Sequence, residues 1–174
     1  GLPGLVVDRY GDALVTQTLT AGMEALRPRV EGALKEALGP RRIVRRDDTS
    51  FREMEGLPRE SSCDPAGAPA RAGVSYLGLA LSVPLLDGQK TGLFLDQREN
   101  VRAFLRHVPQ GASVLDVFCY LGVWGMSALK AGAASCDFAD ASLPACSLVE
   151  SALKANGLPD CPIHNGDAFD VLAS

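Results

Sequence analysis

Val114-Leu115-Asp116-Val117-Phe118-Cys119-Tyr120-Leu121-Gly122 is the stretch whose reading decides the fold of this 174-residue chain. Ser113 to Phe118 has the short apolar run of a buried strand, and the loop that follows gives way to a helix over Val123–Ala131, ended by Gly132. Ala134 to Ala139 reads as a second strand. Ser142 to Ala155 reads as a helix, with Ser142 in the N-cap place, Pro144 in its first turn and Asn156-Gly157 at its end. Cys161 to His164 is a third short strand, and Asp167 opens a further helix. Upstream, Arg98 to Val108 has helical spacing and stops at Pro109-Gln110-Gly111. Alternation of strand and helix predicts a parallel sheet with right-handed crossovers.

The first half has a different rhythm. Leu5–Tyr10 and Ala13–Leu19 flank Gly11-Asp12, a hairpin signal. From Met23 to Leu38 the residues Leu26, Val30, Leu34 and Leu38 fall four apart, which predicts a helix with one apolar stripe, stopped by Gly39-Pro40. Ile43-Val44 reads as a strand running into polar Asp47 to Ser50. Glu60 to Gly73, rich in Ser, Pro, Gly and Ala, reads as a linker. A strand-like Val74–Leu86 ends at the Asp87-Gly88 turn. The whole is a small α+β unit ahead of an α/β one.

Composition narrows the classes. With 47% apolar and 22% charged residues the chain can bury a real core. No apolar run reaches the length of a membrane helix. A net charge of -4 argues against a strongly basic nucleic-acid module, though not against RNA as a substrate. Cys63, Cys119, Cys136, Cys146 and Cys161 contain no C-x-x-C pair, so neither a zinc site nor a disulfide framework is expected; reduced core thiols fit a cytoplasmic setting, with an organellar one left open. The chain opens without Met on Gly1-Leu2-Pro3-Gly4 and reads as a piece of something longer.

Ligands of doubly wound sheets bind beyond the carboxyl ends of the strands. Three features fall there. The first is the Asp116–Gly122 loop, where Gly122 lets backbone come close to a ligand and the next helix offers unpaired N–H groups. The second is Asp140, 24 residues after Asp116, placed to accept hydrogen bonds from ribose hydroxyls. The third is Asp167-Ala168, where a carboxylate and a backbone N–H can meet adenine. Each feature alone has an ordinary alternative, a helix cap or a tight turn; together they favour adenosine. The loop lacks the G-x-G-x-x-G of dinucleotide sites, which favours S-adenosylmethionine over NAD.

Lys90-Thr91-Gly92-Leu93-Phe94-Leu95-Asp96-Gln97-Arg98, with the loop from Asp116 to Gly122, resembles the large-subunit ribosomal RNA methyltransferase family, whose members include cytosine-5 and guanine-N7 enzymes. Gly1 to Asp12 resembles the family's segment after its PUA domain. The resemblance covers nearly the whole chain. It implies a middle α+β domain over 1–88, then over 89–174 the first half of a Rossmann-like class I methyltransferase domain. It implies S-adenosylmethionine as cofactor and ribosomal RNA as partner, with a homo-oligomer left open. Asp116, Phe118, Tyr120 and Gly122 would border the methionine part, Asp140 the ribose, and Asp167 and Ala168 the adenine. Thr91, Phe94, Gln97 and Arg98 would close over the cofactor, with core packing the alternative for Phe94 and a solvated helix start or salt bridge that for Arg98.

The departures from the family pattern are specific. Val123 and Trp124 stand where a second glycine is common. The family's Asp-Pro-Pro strand and the cysteine of the cytosine-5 enzymes do not occur within these residues, so the catalytic residues are expected beyond Ser174 and the piece alone is expected to be inactive. Cys119 is not a match for a nucleophile. His107 and His164 show no partner, and Arg41, Arg42, Arg45 and Arg46 read as a solvated ion-pair cluster with Asp47 and Asp48 before an RNA contact. A three-stranded sheet is expected to leave apolar surface near Val114 to Val117, Phe138 and Ile163. Two other readings stand beside the first: a non-catalytic RNA-binding or assembly module that keeps the fold, and a different adenosine-binding enzyme such as a dehydrogenase.

Overall fold

The structure is a computed structural model and describes residues 1–173. The chain divides into two units, one of residues 1–74 and 83–93, the other of 75–82 and 94–173, so the polypeptide crosses between them three times. Among the described residues no helix is long and apolar enough to cross a membrane.

The first unit is a four-stranded sheet in the order β1-β2-β3-β4. Strands β1 (Leu5–Tyr10) and β2 (Ala13–Thr18) form the expected antiparallel hairpin. Helix α1 (Ala21–Leu38) then carries the chain to β3 (Arg42–Asp47), parallel to β2. Thr20 caps the helix start with its hydroxyl on the Met23 N–H, and Gly39 ends it in the left-handed region at φ 54°. The four-residue stripe is not what α1 buries. Leu26 and Leu38 are exposed, and the buried residues are Met23 and Glu31. Steps of four overshoot the helical repeat by about 40° each, so such a row winds off any one face.

Charged side chains occupy the space under α1. Arg52, on the short helix α2 (Phe51–Met54), has a side chain only 1% exposed and donates to the Thr18 carbonyl, to Glu24 at 3.0 Å and to the Pro58 carbonyl at 2.8 Å. Asp47 sits between Arg27 at 2.7 Å and Arg52 at 3.6 Å. Of the arginine cluster expected to be solvated, Arg41 is exposed beside Asp12, whereas Arg46 is buried against the Leu85 and Gly88 carbonyls and Arg45 forks onto Glu31 at 2.6 and 2.7 Å. Glu60 to Gly73 is not a linker either. It holds β4 (Glu60–Asp64), an edge strand antiparallel to β3, and the start of β5 (Arg71–Tyr76). Ser61, Ser62 and Cys63 pair with β3 through their backbone, which composition does not reveal.

Strands β5 and β6 (Leu79–Pro84) form a hairpin where one strand was expected. Its turn, Leu77-Gly78, has both residues left-handed, at φ 53° and 76°. A leucine in that position gives no turn signal in sequence.

The second unit contains helix α3 (Arg98–Leu105) and a parallel sheet in the order β7-β8-β9, formed by Ser113–Val117, Ser135–Asp140 and Ile163–Asn165. Helix α4 (Val123–Ala131) joins the first two strands and α5 (Leu143–Ala155) the next two; α6 (Ala168–Ala173) follows. Helix α4 lies very close to β8, since a Cβ on Gly125 would fall 2.5 Å from Cys136 Sγ and from the Phe138 ring. Phe138, expected on an uncovered face, is fully buried. The exposed apolar surface of this unit lies at Leu115, within the Val114 to Val117 stretch where it was expected, and also at Phe118, Leu143, Phe169 and Leu172.

Candidate ligand site at the carboxyl ends of the parallel strands

Asp116, next to last in β7, is almost wholly withdrawn from water. Its Oδ2 accepts the Gly125 N–H at 2.9 Å, one of the N–H groups that a helix start leaves without an internal partner. Burial dominates its titration. The Gly125 N–H opposes and the Asp140 charge reinforces that effect, and the carboxyl is pushed up to about 6.

Asp140 closes β8. Its Oδ2 accepts the Tyr120 N–H and its Oδ1 the Ser142 N–H, both at 2.9 Å. Its carbonyl accepts from Asn165 Nδ2 at 3.1 Å and the Gly166 N–H at 3.2 Å, which draws in the turn after β9. Two backbone donors fix this carboxylate, and a carboxylate has further lone pairs for a ligand.

Between these acids runs a loop of alternating handedness. Phe118, Tyr120 and Gly122 are left-handed, at φ 58°, 48° and 65°. For the two aromatic residues that conformation costs about 1–2 kcal/mol each, the kind of local strain that clusters at ligand sites. Gly122 has no room for a side chain: a Cβ would lie 3.1 Å from both the Phe138 ring and Val149. The Phe118 ring is 72% exposed and edges an open groove of about 400 Å³ with Phe104, Val114, Asp116, Val117 and Trp124. Val123 is buried, and Trp124 tilts onto Phe104 with ring centroids 5.4 Å apart.

The other residues singled out in sequence fall in two places. Phe94 meets Tyr120 edge-to-face, with centroids 6.1 Å apart. Gln97 hydrogen-bonds Asp96 at 3.1 Å and Asn100 at 2.9 Å, and the Arg98 guanidinium lies 5.1 Å above the Tyr76 ring. Asp167 caps α6 by accepting the Phe169 N–H at 2.8 Å, and Ala168 is the buried first residue of that helix. Thr91 belongs to the first unit. It is buried there, donating to Asp8 at 2.6 Å and sharing a 2.9 Å hydrogen bond with the Tyr10 hydroxyl. Burial pushes the Cys119 thiol up, as Asp116 and Asp140 also do, the opposite of an activated nucleophile. His164, which showed no partner in sequence, pairs with Asp137 at 3.0 Å; His107 is an exposed residue just past α3.

Sequence reasoning passed over Leu143 and Phe169. Each follows a site acid by two or three residues and is well exposed, at 63% and 75%. Exposed apolar side chains beside strand-end acids suit a flat ring, but in sequence they look like helix core positions.

The second unit has the Rossmann-like α/β fold of S-adenosylmethionine-dependent methyltransferases. A Streptococcus mutans chain assigned as such an enzyme superposes with a TM-score of 0.80 at 22% identity, over 98% of this chain and 44% of that one. The SAM-dependent methyltransferase from Agrobacterium tumefaciens superposes at 0.70 and 21% identity, over 98% and 52%. No family model matches the chain. Among curated proteins it is 38% identical to Ribosomal RNA large subunit methyltransferase I of Shewanella amazonensis and 35% identical to that of Photobacterium profundum. Each match takes in 99% of this chain and 44% of the relative, so the chain spans a little under half the length of these proteins.

Proposed function

We propose that this chain carries the S-adenosylmethionine-binding part of a methyltransferase that acts on large-subunit ribosomal RNA. The observation that carries the reading is the pair of carboxylates at adjacent strand ends, Asp116 and Asp140, with the strained Phe118–Gly122 loop tied between them by the Tyr120 N–H. The donor set suits the ligand. S-adenosylmethionine bears a sulfonium, an ammonium and one carboxylate, hence a net positive charge, and like-charged Asp116 and Asp140 are relieved by a cation. Asp140 would hold the ribose hydroxyls and Asp116 the cationic methionine end. Asp167 and the N–H of Ala168 would meet adenine, with Leu143 and Phe169 against its faces. Phe94 and Arg98, the first residue of α3, would bound the site; Thr91 is committed to Asp8 and Tyr10 within the first unit.

Bound there, S-adenosylmethionine supplies an electrophilic methyl group. The residues of this chain bind and orient it and exclude water from one side. By resemblance the acceptor would be cytosine C5 or guanine N7 of ribosomal RNA. The relatives named as ribosomal RNA large subunit methyltransferases, and a structural neighbour solved with SAH, support the class of reaction. Titrating the chain with methyl-labelled S-adenosylmethionine tests the proposal. Saturable binding is expected, and Asp140→Ala is expected to weaken it by at least about tenfold. Absence of binding would favour the non-catalytic module instead.

A further inference from the structure

We propose that Tyr76 is a positioning residue for the cofactor site, fastening the Phe94–Arg98 segment against the loop that follows β7. The inference rests on the cofactor reading of that site. Tyr76 ends β5, is 3% exposed, and touches both ends of the segment. Its hydroxyl donates to the Phe94 carbonyl at 3.4 Å, and its ring lies under the Arg98 guanidinium at 5.1 Å. A buried phenol needs an acceptor and a guanidinium favours an aromatic face, so one side chain serves both. Phe94 passes the restraint on through its edge-to-face contact with Tyr120, whose N–H holds Asp140.

The base under Tyr76 is itself fixed. Asn156, at the end of α5, brackets Ala80 by accepting its N–H at 2.8 Å and donating to its carbonyl at 2.9 Å. Lys130, from α4, donates to the Gly78 carbonyl. The tip of the hairpin that carries Tyr76 is thus anchored to both helices that frame the parallel sheet. Tyr76 would raise cofactor affinity by holding Phe94 and Arg98 in place before binding, so that less ordering remains to be done.

The test is calorimetric titration of the full chain with S-adenosylmethionine. Tyr76→Leu is expected to weaken binding by about five- to thirtyfold, since it removes the ring and the hydroxyl together. Tyr76→Phe keeps the core filled and the face under Arg98, and is expected to lose about two- to tenfold. The discriminating measurement is the double variant. If Tyr76 acts through Arg98, Tyr76→Leu costs markedly less in an Arg98→Met background; a merely structural tyrosine gives losses that multiply. Wild-type affinity in Tyr76→Phe, or multiplying losses, would overturn the proposal alone. No binding by the unsubstituted chain would overturn the reading of the site and this proposal with it.

Discussion

The Tyr120 N–H donates to Asp140 Oδ2 across 2.9 Å, joining the loop after one parallel strand to the carboxylate that ends the next. That bond holds a non-glycine residue at φ 48° and turns a strand-end aspartate into a fixed point of the loop. The acid proposed to bind ribose is thereby also the one that shapes the backbone beside it.

Asp116 gives the protein a pH-dependent stability. An aspartate in the unfolded chain titrates near ~3.9. In the fold, burial raises Asp116 to about 6, so the folded state holds this proton more tightly. Its contribution is fully present below about pH 4 and lost as pH rises through 6, an effect of about 2–3 kcal/mol. Asp116→Asn still offers an oxygen to Gly125 and removes the buried charge. Urea unfolding should find it more stable than the unsubstituted chain at pH 8, with the gap narrowing toward pH 5.

The same carboxyl should make cofactor binding depend on charge. S-adenosylmethionine is a cation that favours ionised Asp116, whereas S-adenosylhomocysteine lacks the sulfonium charge. Affinity for the first should fall by up to about tenfold per pH unit below pH 6, and affinity for the second much less. Parallel titrations at pH 7.5 and 5.5 measure the difference; equal slopes would remove Asp116 from the methionine end.

Gly125 sets how closely α4 approaches β8. With Cys136 Sγ and the Phe138 ring 2.5 Å from where a Cβ would stand, Gly125→Ala must push the helix outward. A loss of about 1–3 kcal/mol is expected by thermal or urea unfolding, with cofactor affinity reduced because the Asp116–Gly125 bond moves with the helix.

Arg52 supports the first unit alone. Replacing it with Met removes one of the two arginines paired with Asp47, leaving Arg27, and takes a donor from the Thr18 and Pro58 carbonyls. The expected cost is about 3–5 kcal/mol. Limited proteolysis should then cleave within residues 1–74 first, while fragments retaining 94–173 survive longer.

The parallel sheet was legible because its signals are local. Val114 to Val117 is apolar apart from Asp116, Ser142 and Pro144 announce α5, and Gly132 stops α4; helix α4 begins and ends on the residues the spacing predicted. The first unit was less legible because charged residues share its interior with the apolar core. Glu31, Arg46, Asp47 and Arg52 are buried, and hydrophobic periodicity cannot see a helix that buries a glutamate. β4 escaped because Ser61 and Ser62 pair at a sheet edge, and the hairpin because Leu77 holds a positive φ. At the site, Asp116, Asp140 and Gly122 could be placed from strand-end position, whereas Tyr76 could not: it lies 18 residues before Phe94.

Calorimetric titration of the full chain with S-adenosylmethionine, beside NAD and the Asp140→Ala variant, tests the central claim most directly. Saturable binding of S-adenosylmethionine is expected, with none of NAD and a loss of at least about tenfold in the variant. Failure of the unsubstituted chain to bind S-adenosylmethionine, tighter binding of NAD, or equal affinity in Asp140→Ala would contradict it.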